Sequence, residues 1–194
     1  MTASLEEIVA TVSPSKLDML QRCQFAFYCR YVEGVRTPPT ASLAFGSAFD
    51  DAANEGAAEK MIQETTPAPR LVAELFDAAW SRRRESVEEW NGEDPAKMLD
   101  QGTALASTWT TRFLSIVRPL ETQPALTVEL EDAGGDRWKA IGFGDLLAVV
   151  QLEGLPSVPV IVDQKTSARR WSAGRLQTST QAACLLYTSP SPRD

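Results

Sequence analysis

Apolar positions in the first half of the chain recur at helical spacing. Ser13 before Pro14 reads as an N-cap followed by a first-turn proline, and "SKLDMLQRCQFAFYCRYVEG" puts Leu17, Leu20, Phe27 and Tyr31 on or near one stripe, predicting a helix that Gly34 ends. Thr37-Pro38-Pro39-Thr40 is a loop signal. A second helix is predicted from about Ala41 to Glu64, with small residues in "AFGSAFDDAANEGAA" that allow close packing. Thr-Pro-Ala-Pro at 66–69 separates a third helix, "RLVAELFDAAWSRRRESVEEW", and Gly92 with Asp94-Pro95 separates a fourth running to about Leu120. The period then changes. Ala125 to Glu131 alternates as a strand, Gly134-Gly135-Asp136 supplies a turn, and Arg137 to Val150 forms a longer strand or strand pair. A turn at Leu155–Ser157, a strand from Val158 to Gln164 and a helix from Trp171 to Ala183 complete the pattern. Helices followed by a strand meander and a helix define an α/β or α+β organisation without internal repeats.

Composition narrows the chemistry. The 194 residues, 43% of them hydrophobic, suit one domain with a real core. The net charge of -7 gives no general attraction for polyanions, so a nucleic acid must be held by a local basic patch or by bound cations. No basic start precedes an apolar stretch and no run reaches roughly 18 apolar residues, so a cytoplasmic protein with no membrane partner is expected. Cys23, Cys29 and Cys184 are too few and too irregular for a disulfide framework or a self-contained zinc site. Histidine is absent, which excludes imidazole-based triads and HExxH chemistry and leaves acid–base work to carboxylates, lysine or a bound metal.

One strand end carries that chemistry. In "VIVDQKTS" (160–167) an extended backbone points Asp163 and Lys165 to one side and Gln164 to the other. A turn near 154–157 would lay this strand antiparallel to the one containing Gly142-Phe-Gly-Asp145, bringing Asp145 and Asp163 near each other. Two carboxylates in a partly dry cleft repel unless a cation lies between them, and a hard divalent ion such as Mg²⁺ takes oxygen ligands. Arg82-Arg83-Arg84 and Arg169-Arg170 read as solvated faces, the second pair close enough to the strand to touch phosphates.

A strand ending in D-x-K is common; its combination in order with three other segments is not. Asp145 followed by Asp163-Gln164-Lys165 resembles the divided D…(D/E)-x-K signature of the PD-(D/E)XK nuclease superfamily, in particular its RecB-type exonuclease branch. "SPSKLDMLQRCQFAFYCRY" is similar to that branch's opening helix through Ser13, Ser15, Leu17, Cys23, Phe27 and Tyr31, and Gly46-Ser47-Ala48-Phe49-Asp50 resembles its G-(S/T)-x-x-H segment with Asp50 in place of histidine. The resemblance covers residues from about 12 to 183.

It implies a restriction-endonuclease-like α/β core, a mixed sheet flanked by helices, with an N-terminal helical section. It implies Mg²⁺ or Mn²⁺ held by Asp50, Asp145, Asp163 and the Gln164 carbonyl, with Lys165 orienting or activating a water; Asp51 is the second candidate for the Asp50 place. A glutamine on the following helix completes the catalytic set, Gln181 by position, with Gln177 one turn earlier. Some members hold an iron-sulfur cluster through one N-terminal and three C-terminal cysteines; Cys23 stands at the first place, and such a cluster would belong to the full-length protein only. The implied function is a metal-dependent DNA nuclease, an exonuclease acting in recombination, repair or phage DNA processing beside a helicase or recombinase partner. A catalytically inactive DNA-binding module, or a fragment of a larger helicase-nuclease or iron-sulfur nuclease, remain alternatives. "CLLYTSPSPRD" (184–194) resembles translated sequencing adaptor and is set apart as an artefactual or disordered tail, which makes 1–183 a C-terminally truncated nuclease domain.

Overall fold

The computed structural model of the chain describes residues 10–131, 133–150, 154, 157–167 and 174. They belong to two compact units. One is formed by the chain up to Thr37 with Ala125–Gly144, the other by Pro38–Pro124 with Asp145–Ser167.

In the first unit, helix α1 (Pro14–Arg22) opens as its sequence predicts, with the Ser13 hydroxyl accepting the Lys16 N–H at 3.4 Å and Pro14 in the first turn. The single helix expected to Gly34 is interrupted at Cys23. That residue is extended, and its Sγ accepts the Ala26 N–H at 3.4 Å, so the thiol caps a new short helix, α2 (Gln24–Phe27), which runs into a π-turn over Tyr28–Val32. Strand β1 (Thr11–Val12) pairs parallel with β4 (Arg137–Phe143), and β4 pairs antiparallel with β3 (Ala125–Glu131), giving a mixed three-stranded sheet.

The second unit is three helices and an antiparallel sheet. Helix α3 (Ala41–Gln63) is capped by Thr40, whose hydroxyl accepts the Leu43 N–H at 3.2 Å, and stops where Glu64 turns left-handed. Helices α4 (Pro69–Arg83) and α5 (Pro95–Arg112) both begin with proline, and Asp94 caps α5 by accepting the Ala96 N–H at 2.9 Å. Small residues on α3, among them Ala44, Ala48 and Ala52, pack with Val72, Phe76, Ala79 and Trp80 of α4 and with Met98 and Ala106 of α5. The Trp80 indole buries its ring and donates to the Pro95 carbonyl at 3.3 Å, so burial leaves no orphaned donor. A second apolar cluster joins α3 to the sheet: Ala57 meets Leu114, Val117 of β2 (Val117–Thr122), and Leu146 and Ala148 of β5 (Leu146–Val150). β5 is central, antiparallel to β2 on one side and to β6 (Val158–Val162) on the other.

Two helix ends differ from the pattern-based expectation. The third helix ends at Arg83 rather than Trp90, because after a single 3₁₀ turn the chain extends to bury Val87. The fourth ends at Arg112 rather than Leu120. Pro119 disfavours helical backbone at Arg118, and the alternation of buried Val117 and Pro119 with exposed Arg118 and Leu120 makes this segment β2 instead. Of the longer strand or strand pair expected over 137–150, the pair is what forms, β4 and β5, belonging to different units. The helix expected over 171–183 lies outside the described residues.

Gly102 tests the helical packing. A Cβ there would sit 1.9 Å from the ring of Phe76, which is fully buried. Helix propensity favours alanine by about 1 kcal/mol, yet a collision with an immobile ring outweighs it. Gly102→Ala is expected to destabilise the protein by about 2 kcal/mol or more in urea denaturation, and the loss should shrink in a Phe76→Leu background.

Candidate active site

The register of β5 and β6 builds the site. Leu146 pairs with Val162, and one residue further the Asp145 N–H donates to the Val162 carbonyl at 3.0 Å, which sets Asp145 beside the residue that follows β6, Asp163. The Asp145 carbonyl accepts from the Gln123 N–H at 3.0 Å, so its backbone is fixed from both neighbouring strands. Its carboxylate accepts the Gln164 N–H. Regular pairing stops at Val162, earlier than Gln164, but the expected sidedness survives: the Lys165 Nζ lies 2.6 Å from Asp163 Oδ1 and 3.4 Å from the Gln164 carbonyl.

Helix α3 supplies the remaining wall. A Cβ at Gly46 would stand 3.2 Å from Thr166 Oγ1, so the segment carrying Asp163 and Lys165 lies directly against this turn of the helix. One turn later comes Asp50, half-buried on the same face. Burial, and then the Asp145 carboxylate, raise the Asp50 pKa to about 7; Lys165 opposes this, while Asp163 and Asp51 add to it. Burial also raises Asp145, against the Gln164 N–H and Lys165, which favour its anion. Asp50, Asp145, Asp163 and Lys165 therefore share one electrostatic neighbourhood.

Asp51, the other candidate in this segment, is engaged elsewhere. Arg83 of α4 holds it in a two-point pair, Nε to Oδ2 and Nη2 to Oδ1, both at 3.0 Å. Arg83 stays exposed, as expected of the arginine run, while its pair with Asp51 leaves Asp50 as the acid of α3 that faces the cluster. Asn54, one turn beyond Asp50, was not apparent as a site residue; its amide is buried with no hydrogen-bond partner, and a lone asparagine in an alanine-rich helix carries no pattern that would single it out. Gln177, Gln181 and Cys184 lie outside the described residues.

Among the described residues, no three His, Cys, Asp or Glu groups already converge tightly enough to form a finished metal cage. The acids sense one another's charge, but Asp163 is paired with Lys165 and Asp145 with the Gln164 N–H. The donor chemistry nonetheless fits a hard divalent ion: only oxygens are offered, and burial plus mutual repulsion raise the Asp50 and Asp145 carboxyls in the way a cation would relieve.

Two acids and a lysine are gathered where a strand ends, faced by an acid on a packed helix. A family model described as the PD-(D/E)XK nuclease superfamily matches residues 11–188, and the chain belongs to that superfamily, whose members are nucleases. The helices and the mixed sheet agree with its restriction-endonuclease-like α/β fold. The match includes residues 184–188 of the segment set apart above. No curated protein matches the sequence significantly. Among the described residues no helix is long and apolar enough to cross a membrane.

The raised acids predict a pH dependence. A carboxyl whose folded value lies near 7 instead of 3.8 favours the fold in its neutral form; that contribution is complete below 3.8 and is lost as pH rises through about 7. Metal-free protein should show a falling thermal midpoint across this window, and Asp50→Asn should flatten the fall and raise the midpoint at pH 8. Because a cation needs the ionised acids, the midpoint increase given by Mn²⁺ should be small at pH 5 and grow towards pH 8. Differential scanning fluorimetry with and without Mn²⁺ measures both slopes.

Proposed function

We propose that the protein is a divalent-metal-dependent deoxyribonuclease, an exonuclease acting on DNA ends or single strands. The observation that supports this most directly is the grouping of Asp145, Asp163 and Lys165 by the β5–β6 register, in the order and roles of the superfamily's motif and opposite Asp50 of α3.

In this reading the carboxylates of Asp50, Asp145 and Asp163 and the carbonyl of Gln164 would hold Mg²⁺ or Mn²⁺. When bound, such an ion supplies Lewis acidity towards the scissile phosphate and charge compensation at the leaving oxygen. The chain's own residues do the positioning. Asp145 is kept in place by three hydrogen bonds, through its N–H, its carbonyl and its carboxylate, so that its oxygens need little reorganisation. The Lys165 ammonium, within reach of both Asp163 Oδ1 and the Gln164 carbonyl, would orient the attacking water with one N–H and stabilise negative charge on a phosphoryl oxygen with another. No side-chain nucleophile is required, consistent with a chain that has no histidine. Gln181, on the segment that follows, would assist in orienting water. With a net charge of -7, contact with DNA would depend on the bound cation and on local arginines rather than on the surface as a whole. A helicase or recombinase partner and a cytoplasmic setting in repair, recombination or phage DNA processing fit such an activity.

The test is hydrolysis of end-labelled linear DNA, with closed circular DNA as the comparison substrate. Linear DNA should be degraded with Mg²⁺ or Mn²⁺, the circle should persist, and chelator should stop the reaction. Asp163→Ala and Lys165→Ala should each lower the rate about 100-fold or more, the scale expected for one positioned catalytic group. Equal activity in these variants, or hydrolysis in chelator, would refute the assignment; DNA binding without hydrolysis in metal would point to a silent binding module.

A further inference from the structure

Among the described residues, the buried side-chain polar atoms that find no hydrogen-bond partner belong to Asn54 (Oδ1 and Nδ2) and to Gln164 (Oε1). Both residues belong to segments that contribute to the acidic cluster. Gln164 gives its backbone N–H to Asp145, and Asn54 lies one helical turn beyond Asp50 on the same face of α3. Towards the sheet the helix around Asn54 is apolar: Ala53 and Ala57 are buried, and Ala57 packs against Leu146 and Ala148 of β5. Burying an amide there with both polar atoms unpaired works against folding, since each unsatisfied group carries a desolvation penalty and a similarly shaped apolar side chain carries none. A residue that weakens the fold beside a candidate site is one whose partners belong to the working state.

We propose that Asn54 is a positioning residue for the cation site, its amide steadying the Asp50 carboxylate and the water around a bound divalent ion. Nδ2 is a donor one turn after an acid, a spacing at which helical side chains meet, and Oδ1 is an acceptor for a water hydrogen. Outer partners of this kind orient the groups that touch a metal and strengthen its binding. The inference rests on the cation site described under Proposed function and extends it to a residue that neither the D…D-x-K motif nor the Gly46–Asp50 segment contains. The burial of both amide atoms of a residue one helical turn from Asp50 is what separates this from an incidental packing defect.

The full chain, freed of metal, serves for the test. Mn²⁺ is titrated calorimetrically at pH 8 into wild type, Asn54→Leu and Asn54→Ala, and thermal midpoints are recorded without metal. Expected are metal-free midpoints equal to or above wild type for Asn54→Leu, together with Mn²⁺ binding at least about tenfold weaker in both variants. Wild-type Mn²⁺ affinity in the variants would overturn the inference while leaving the cation site intact. Lower metal-free midpoints in both variants would overturn it as well, by making Asn54 a structural residue. Should Asn54→Leu fail to fold, Asn54→Ala, which adds no volume, gives the same comparison of affinity and midpoint. Absence of Mn²⁺ binding by wild type would overturn the cation site itself and this inference with it.

Discussion

A hydrogen bond from the backbone N–H of Gln164 to the Asp145 carboxylate is the constraint on which the rest of the site depends. It exists because β5 and β6 pair with Leu146 opposite Val162, and a shift of one residue would turn Asp145 and Asp163 away from their present neighbours. The apolar cluster of Ala57, Leu114, Val117, Leu146 and Ala148 fixes that register, since slippage would expose Leu146 and Ala148. Core packing and the arrangement of the acids are thus one problem. The side chains that select the pairing are apolar, and the side chains that benefit are charged.

Helix α3 joins the two. Its small residues permit close approach to α4 and α5, its Gly46 admits Thr166, and the same helical spacing presents Asp50 to the acids of the sheet. Asp51, next in sequence, points to another neighbour and is clasped by Arg83. Adjacent acids on one helix therefore have separate tasks: one ties helix to helix, while the other stands in a half-buried position where its charge is disfavoured. Repulsion among Asp50, Asp145 and Asp163, only partly offset by Lys165, leaves the cluster short of positive charge.

Much of this was legible in the residue pattern. The period-2 alternation gave β3 its limits at Ala125 and Glu131, the Ser13-Pro14 and Asp94-Pro95 pairs marked helix starts, and Asp163 and Lys165 share a side as alternation suggested, although regular strand pairing stops at Val162. What escaped has local causes. Val117–Thr122 is short and follows a helix directly, so its alternation was absorbed into the helical period. Cys23 breaks a helix that its neighbours would continue, because a sulfur cap competes with propensity. The partnership of Arg83 with Asp51 and the burial of Asn54 depend on tertiary packing, which no one-dimensional pattern carries.

The tight fit of Gly46 against Thr166 has a consequence for how this sequence can drift. A Cβ at position 46 would press on Thr166 Oγ1, which would have to give by a few tenths of an ångström, so a substitution far along the chain reaches a residue bonded directly to Lys165. Changes at that glycine therefore bear on the segment that carries the lysine as well as on the helix.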